Sequence, residues 1–414
     1  MTMAGMITVG LFFLVIILLI WQPVSPVLVG AGIPLVLTLC GIISPKVAFA
    51  QFSNSTVIFF MSLLVVGGAI FKTGLADFLG EKIIGLVGKT EKGVLMGVGL
   101  VTCMLSAFLN DTGTTGCLIP IVSAVAKKSS VSLSKCFLVL CYFASIGGTI
   151  TLIGGGGHIV VQGFLEDAGY QGFTFFEFVP FGLPLAILSF IWLYFFGTKN
   201  LPVREVKESD IPPTAEKQPH KMLLVAAVFI FIVFCMATKL LPMHIAAALG
   251  AFLVILTGCI PANEAMRCFS MPTLFLVAGI FSLSSAMAST GAAKTLIGYM
   301  SIFLTGLHPI IVILGVSLVA IVATNFMMGT SLCAILTPMA IMIGKACDLP
   351  PHALAMAVAI GTSGAFCTPF GTGPNLLVYE IGGFKFKDYT VNGIAYEIFM
   401  LAITTIGVYL IYIV

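Results

Sequence analysis

The sequence predicts an all-α membrane protein that crosses the bilayer many times and consists of two inverted repeats. Hydrophobic residues make up 59% of the 414 residues and charged residues 8%, and the mean hydropathy is +1.16. Soluble domains carry about a quarter charged residues, so this composition excludes a soluble fold. The order of the apolar runs indicates an internal duplication.

The duplication is visible when the chain is aligned with itself. Pro120 falls opposite Pro338 at an offset of 218 residues. The stretch TLIGGGGHIVV, which starts at Thr151, falls opposite TPFGTGPNLLV, which starts at Thr368, at an offset of 217. Two further matches follow the same order and pair Thr73-Gly74 with Thr290-Gly291 and Gly172–Gly182 with Gly383–Gly393. Four ordered matches predict that one half was copied from the other.

The predicted repeats are residues 1–198 and 222–414, joined by a polar cytoplasmic linker at 199–221. Each repeat holds five crossings, one of them a broken helix, and one re-entrant hairpin. The predicted segments of the first repeat are 6–21, 26–44, 55–72, the hairpin 94–127, the broken span 135–165 and 178–197. Those of the second are 222–238, 243–260, 272–288, the hairpin 308–344, the broken span 352–379 and 392–413. Because five is an odd number, the repeats must lie in opposite orientations.

The hairpins are predicted from their length and from the polar residues at their tips. A single helix needs roughly 20 apolar residues to cross a bilayer. The apolar arms on either side of Asn110–Gly113 are shorter than that, and the same holds around Met328–Thr330. Each pair of arms therefore enters the membrane and returns to the same face.

The orientation is predicted from the basic residues. With the linker inside the cell, fifteen of the nineteen Lys and Arg residues lie on the cytoplasmic side, as the positive-inside rule requires. The first apolar run, 7–21, lacks the basic start and the small-residue cleavage site of a signal peptide, so we expect a retained span. Ala76–Val87 and Ala292–Leu304 are short and polar, which favours a position along the membrane interface.

Four helix breaks lie at membrane depth in this arrangement. They are the two hairpin tips and the glycine-rich stretches Gly154–Gly157 and Gly371–Pro374. Unpaired backbone groups are tolerated at this depth only when protein buries them or when they line a water-filled cavity. Paired breaks in inverted halves are typical of secondary transporters, whose site lies at the midplane. Helix N-termini at the breaks favour anions, and few acidic side chains are available to hold a cationic substrate.

The polar side chains near the breaks have both functional and structural interpretations. Asp111 could bind a cation or a proton, or only cap the helix that follows it. His158 could contact a ligand or be a buried, satisfied histidine. Thr112 and Thr330 occupy matching tips and could donate hydroxyls to an oxyanion, or bond back to their own helix turn. Glu397 on the last span is expected to have a structural or snorkelling role.

At these residues the chain resembles the divalent anion–sodium symporter family. That family carries a Ser-Asn-Thr motif at the tip of each hairpin and a glycine-rich break that ends in asparagine. Here NDTGTTGCLIP from Asn110 and TNFMMGTSLCAILTP from Thr324 occupy the hairpin positions. Asp111 stands at the asparagine position of the first motif, and His158 replaces the asparagine that Asn375 keeps in the second break.

The resemblance implies a symporter that moves dicarboxylates, citrate, sulfate or related anions with sodium by an elevator mechanism in a homodimer. The implied substrate-binding residues are Asn110, Thr112, His158, Gly329, Thr330, Thr372, Pro374 and Asn375. The implied sodium site comprises Asp111, Gly154, Gly155, Gly371 and Thr330. No further cofactor is expected. The resemblance also implies a multi-pass protein of the plasma or inner membrane, in contact with lipid.

Several functions remain open from the sequence. His158 or a titrating Asp111 could replace a sodium ion, which would make the protein proton-coupled or an exchanger of anions. The same fold could carry arsenite or an uncharged acid, could form a passive anion channel, or could have lost transport and serve as a scaffold. An enzyme is not expected, because no Ser/His or Cys/His pair recurs at matched depth. A nucleic-acid partner is not expected from a net charge of only +3.

Overall fold

The structure is a computed structural model that describes residues 2–21, 23–76, 78, 90–206, 218–304 and 306–414. Regular secondary structure in these ranges is helical, which confirms the predicted all-α class. In the first half the helices are α1 Met3–Trp21, α2 Pro26–Leu39, α3 Pro45–Ala50, α4 Ser55–Thr73, α5 Glu91–Ser106, α6 Asp111–Lys128, α7 Leu133–Gly148, α8 Gly156–Asp167 and α9 Val179–Trp192. Helix α9 continues as a π-helical turn, Leu193–Gly197.

The helices of the second half follow the same order. They are α10 Met222–Ala237, α11 Met243–Leu256, α12 Ala262–Arg267, α13 Met271–Ser289, α14 Ala292–Leu304, α15 Pro309–Thr324, α16 Gly329–Ala346, α17 Pro351–Gly361, α18 Gly373–Ile381 and α19 Phe386–Tyr412. Each of the four predicted breaks overlaps the start of the second helix of a pair: α5 and α6, α7 and α8, α15 and α16, and α17 and α18. The final helix starts six residues before the predicted 392.

The surface of the helices is that of a membrane protein. Within the described residues, six helical segments are long and apolar enough to cross a membrane, and several shorter apolar helices accompany them. Many large apolar side chains are exposed, such as Phe195, Leu223 and Ile230. Soluble monomers rarely expose large contiguous apolar surfaces, whereas hydrocarbon accommodates them. The chain is a multi-pass membrane protein.

Several helix pairs connect the halves, and two of them are equivalent. Helix α2 packs against α13, and α4 packs against α11. The approach of α2 to α13 uses glycine, because a methyl group on Gly279 would lie 2.2 Å from the carbonyl oxygen of Gly30. Small residues let membrane helices approach closely in this way. Helix α2 aligns with α11 at the repeat offset, and α4 aligns with α13, so the two pairs are equivalent.

Hydrogen bonds also recur at the repeat offset. Ser106 Oγ donates to the carbonyl of Ala144 at 2.6 Å, and Thr324 Oγ1, 218 residues later, donates to the carbonyl of Thr362 at 3.0 Å. A second equivalent pair joins Thr151 to the carbonyl of Ala107 and Thr368 to that of Asn325. Such paired contacts are what a duplicated chain predicts. The exact repeat boundaries and the opposite orientations in the membrane stay predictions.

The predicted linker is only partly described, since residues 207–217 lie outside the described ranges. Its first residues are attached to both halves. Arg204 makes two hydrogen bonds to Asp388 at the start of α19, at 2.9 and 2.6 Å, and its backbone N–H donates to Ser134 of α7. Most of the predicted interfacial segment Ala76–Val87 also lies outside the described residues, whereas Ala292–Leu304 forms α14.

Candidate functional site

The two hairpin tips and the two span breaks meet at one cavity of about 260 Å³. We call it the polar cavity. Its lining includes residues from all four breaks, together with side chains of α4, α7, α13 and α17. The lining residues are Phe60, Leu64, Asn110, Asp111, Thr112, Ser145, Gly148, Gly155, Gly156, Gly157, Ser270, Thr273, Met328, Gly329, Thr330, Thr362, Ser363, Gly371, Thr372 and Gly373.

The first tip is closed by its own side chains. Asn110 is the N-cap of α6, and its Oδ1 accepts hydrogen bonds from the backbone N–H groups of Thr112 at 3.0 Å and Gly113 at 3.3 Å. The first N–H groups of a helix have no partner within the helix, and an asparagine cap satisfies them. At this tip the N–H groups are therefore already engaged.

Asp111 adds a carboxylate to the first tip. Its Oδ1 accepts from the backbone N–H of Thr112 at 2.6 Å and from the Thr112 hydroxyl at 3.1 Å. A backbone carbonyl lies nearby, because a methyl group on Gly148 would come within 3.2 Å of the Gly154 oxygen and 3.8 Å of Asp111 Cβ. Carbonyls at the ends of broken helices, together with a carboxylate, suit a small cation.

The second tip lacks a side-chain cap. Met328 occupies the N-cap position of α16 and makes no side-chain hydrogen bond to the helix. The first N–H groups of α16 thus remain directed out of the helix end, beside the exposed side chain of Met328. Gly329 is required here, since a methyl group on it would lie 2.4 Å from the carbonyl oxygen of Thr362.

A buried network supports the second tip from behind. Asn325, the C-cap of α15, donates to Glu397 Oε1 at 2.7 Å and accepts from the backbone N–H of Cys367 at 3.2 Å. The same N–H lies 3.1 Å from Glu397 Oε1. The contacts support the structural role expected of Glu397. The corresponding C-cap of the first hairpin is Ala107, which cannot form this network.

The tips pack crosswise on the breaks of the opposite half. A methyl group on Gly373 would come within 2.1 Å of Thr112 Oγ1, so the first tip lies directly against the start of α18. Similarly, a methyl group on Gly156 would lie 3.0 Å from Thr330 Cγ2, which places the second tip against the start of α8. Both threonines thus face the cavity between the halves.

His158 is buried behind the first break rather than in the cavity wall. It is 0% exposed, and its ring stacks on Phe178 with centroids 4.2 Å apart. Nδ1 lies 3.0 Å from the carbonyl of Thr151, which can only accept, so Nδ1 is the donor. Nε2 lies 2.8 Å from the hydroxyl of Ser363, which does line the cavity.

Asn375 plays the same part behind the second break. Its side-chain amide donates to the carbonyl of Thr368 at 2.8 Å, the equivalent of the His158 contact, and to that of Ala365 at 2.6 Å. The hydroxyl of Thr372 is different: it is buried beside the cavity, and no hydrogen-bond partner for it is found among the described residues. A buried hydroxyl without a partner is destabilising unless a ligand or water pairs with it.

The predicted site residues therefore divide into two groups. Those that line the polar cavity are Asn110, Asp111, Thr112, Gly155, Gly329, Thr330, Gly371 and Thr372. Those that lie behind it are Gly154, His158, Pro374 and Asn375. The second group holds the shape of the breaks, and its direct contact with a ligand stays a prediction.

Sequence reasoning missed five hydroxyl-bearing residues of the cavity, namely Ser145, Ser270, Thr273, Thr362 and Ser363. Ser145 and Ser363 match at the repeat offset of 218, and this match is a signal that could have found them. Thr273 aligns with Thr56 at an offset of 217, but only Thr273 reaches this cavity. Ser270 likewise aligns with Ser53 at an offset of 217, whereas Thr362 aligns with Ala144 and carried no such signal.

Comparison with known families identifies the chain. Residues 16–332, about three quarters of the chain, match the sequence model of a family described as a citrate transporter. Residues 293–414 match a second model, described as the transmembrane region of sodium:sulfate symporters. The two matches together span both predicted repeats.

Individual relatives are also transporters. A segment is 29% identical to an uncharacterized transporter of Synechocystis, and this match spans 48% of the chain but only 32% of that protein. Over 93% of this chain and 82% of the relative, the chain is 23% identical to a protein of Staphylococcus saprophyticus named as a sodium-dependent dicarboxylate transporter.

A solved structure shows the same fold. The crystal structure of the YdaH transporter of Alcanivorax borkumensis, described as having an unusual topology, aligns with a TM-score of 0.63 over 98% of both chains at 12% identity. At this identity the likeness concerns the fold alone. From the family matches, the chain belongs to the citrate-transporter family within the divalent anion–sodium symporters, and is a membrane transporter of small anions rather than an enzyme.

Proposed function

We propose that this protein accumulates small divalent or carboxylic anions, of the dicarboxylate, citrate or sulfate class, by secondary active transport coupled to sodium. The observation that carries the proposal is the convergence of both tips and both breaks on one polar cavity. Such a cavity at paired helix breaks is the expected site of a secondary transporter.

The anion is held by the second tip and the two breaks. The N-termini of α8, α16 and α18 lack side-chain caps, so their N–H groups and helix dipoles can face an anion. The hydroxyl of Thr372 has no hydrogen-bond partner among the described residues and can donate to an oxyanion. Thr330 lies at the same wall.

Sodium is held at the first tip. Asp111 supplies the one acidic side chain among the residues that line the polar cavity. The carbonyl oxygen of Gly154 provides an uncharged ligand beside it. The name of the Staphylococcus relative, a sodium-dependent dicarboxylate transporter, agrees with this assignment. A sodium ion there would also offset the charge of an anion bound a short distance away.

The movement we propose is elevator-like and takes place in a homodimer, as the family resemblance implies. The crossed pairs α2–α13 and α4–α11 would form the fixed part. The hairpins and broken helices, which pack crosswise on one another, would move together with the site. These moving helices and their breaks form most of the wall of the polar cavity, and the fixed part with its flanking turn contributes Phe60, Leu64, Ser270 and Thr273.

A second candidate is proton coupling or anion exchange on the same fold. The hydrogen bonds of His158 favour this candidate over a passive channel. In the neutral ring, Ser363 donates to Nε2; a second proton on Nε2 would turn the hydroxyl to the carbonyl of Ala359, which lies 2.7 Å away. Because Ser363 lines the cavity, this switch would connect the ring to the site.

Uptake into proteoliposomes tests these candidates together. Labelled succinate, citrate and sulfate are each offered with an inward sodium gradient, with a proton gradient alone, or with unlabelled anion inside. We expect accumulation above equilibrium with the sodium gradient, and its loss when an ionophore collapses that gradient. Movement that never exceeds the electrochemical equilibrium would indicate a channel. Accumulation with protons alone, or only with internal anion, would overturn sodium coupling.

A further inference from the structure

An apolar cavity of about 200 Å³ adjoins the polar cavity. We propose that it receives a hydrocarbon substituent of the substrate, so that the protein prefers carboxylic anions with an aryl or branched alkyl group over bare dicarboxylates and inorganic oxyanions. The proposal rests on the proposed function, because it assigns the substrate class of that same site.

The two cavities share part of their walls. Phe60, Leu64, Asn110 and Gly156 line both of them. Asn110 stands at the boundary, since its carboxamide caps α6 while the residue contributes to both walls. In this proposal, an anion seated at the breaks extends its substituent past Asn110 into the apolar cavity.

The lining of the apolar cavity is suited to a hydrocarbon group. Apart from Asn110 and the thiol of Cys268, its described side chains are aliphatic or aromatic. Phe108 of the first tip and Phe229 of α10 meet edge to face, with ring centroids 6.3 Å apart and an interplanar angle of 86°. Burial of apolar surface is favourable in proportion to its area. A sulfate ion or an unsubstituted dicarboxylate gains nothing from this space.

Glycines keep the cavity open. A methyl group built on Gly67 of α4 meets no atom within 4 Å, although this residue lines the cavity. A larger side chain at Gly67 can therefore enter the cavity without a clash at its first carbon. Gly32 of α2 also has free space around it but lines neither cavity, which makes it a matched control.

The test compares competitors against uptake of whichever labelled anion the protein accumulates. Unlabelled succinate, 2-methylsuccinate and 2-phenylsuccinate are titrated, and the ratio of half-inhibitory concentrations of succinate and 2-phenylsuccinate is measured. We expect 2-phenylsuccinate to inhibit at a concentration about tenfold lower, with 2-methylsuccinate between them, because the added apolar area is buried.

Variants then locate the effect. Gly67→Leu is expected to bring the ratio close to one, Gly67→Ala to lower it in part, and Gly32→Leu to leave it at the wild-type value. A wild-type ratio near one would overturn the inference while leaving the proposed function intact, as would a ratio that Gly67→Ala and Gly67→Leu both leave unchanged. Failure to accumulate any of the three labelled anions would instead overturn the proposed function.

Discussion

The two hairpin tips occupy equivalent places in the duplicated chain but differ in chemistry. At the first tip, Asn110 caps α6 and Asp111 adds a negative charge. At the second, Met328 leaves α16 without a side-chain cap, and the support comes from Asn325 and Glu397 behind the tip. The first tip offers oxygen atoms to a ligand, whereas the second offers N–H groups.

This difference supports the proposal that the two tips bind different ions. A pair of identical tips would hold two equal ions, one in each half. Here the capped, acidic tip is suited to a cation and the uncapped tip to an anion. Under the proposed function the two halves share the framework of breaks, and Asp111 and Met328 distinguish the cation tip from the anion tip. Four substitutions test whether the tips differ in this way.

The largest effect is expected for Asp111→Ala. Removal of one partner of a buried charge pair costs about 2–5 kcal/mol, so we expect concentrative uptake to fall by about 100-fold. Initial rates of anion uptake into proteoliposomes measure this fall. Asp348→Asn is the matched control, because Asp348 is exposed and lies outside the polar cavity. Wild-type uptake by Asp111→Ala would mean that the first tip holds no cation.

The next effect concerns the support of the second tip. Glu397→Ala leaves the amide of Asn325 and the N–H of Cys367 without their shared acceptor. Each donor keeps one other acceptor, the carbonyl of Ile321 for the Asn325 amide and Asn325 Oδ1 for the Cys367 N–H. Hydrogen bonds to a charged group contribute about 1.5–3 kcal/mol, so we expect a lower midpoint of thermal unfolding in detergent when those to the carboxylate are lost. Glu397→Gln keeps an acceptor oxygen and should lose much less. Equal losses in both variants would show that the carboxylate's charge, rather than its hydrogen bonds, supports the tip.

A smaller effect is expected when a cap is added to the second tip. Met328→Asn places the residue of the first tip at the N-cap of α16. The new cap should stabilise the protein by about 1 kcal/mol and should compete with the anion for the same N–H groups. We therefore expect a higher unfolding midpoint together with an apparent KM for the anion raised about fivefold. A KM that stays unchanged would remove the second tip from the anion site.

The smallest effect is expected for His158→Asn. The equivalent Asn375 already shows that an amide can donate to the carbonyl at this place. Under sodium coupling we expect uptake within about threefold of the wild type, which corresponds to a loss of less than about 1 kcal/mol in transition-state stabilisation. We also expect the pH profile of uptake to stay unchanged between about pH 5.5 and 8, the range in which an accessible histidine would titrate. A displaced profile would favour proton coupling. The initial rate of anion uptake, measured across this pH range at saturating sodium, distinguishes the two outcomes.

The sequence alone predicted the helices and the breaks well, for a physical reason. Apolar runs and glycine-rich interruptions are local features, and the duplication repeats the four breaks in pairs at offsets of 217 and 218. The position of Asp111 in the polar cavity followed from its place at a tip. The tips could therefore be identified before any tertiary contact was known.

Other features could not be predicted because they depend on which face a residue presents. His158 and Asn375 follow the breaks directly, yet both point behind the cavity and hold carbonyls of the preceding stretch. Glu397 meets Asn325 across 72 positions of the chain. The apolar cavity joins Phe229 to the first tip through packing that no periodicity reveals.

Steady-state kinetics of two variants most directly test whether the first tip binds the cation and the second binds the anion. The half-saturating sodium concentration and the apparent KM for the anion are measured for wild type, Asp111→Asn and Met328→Asn. We predict that Asp111→Asn weakens or abolishes the sodium dependence, whereas Met328→Asn raises the KM for the anion at saturating sodium and leaves the half-saturating sodium concentration near the wild-type value. If Asp111→Asn keeps the wild-type sodium dependence, or if both variants change both constants alike, the tips do not divide the two ions between them.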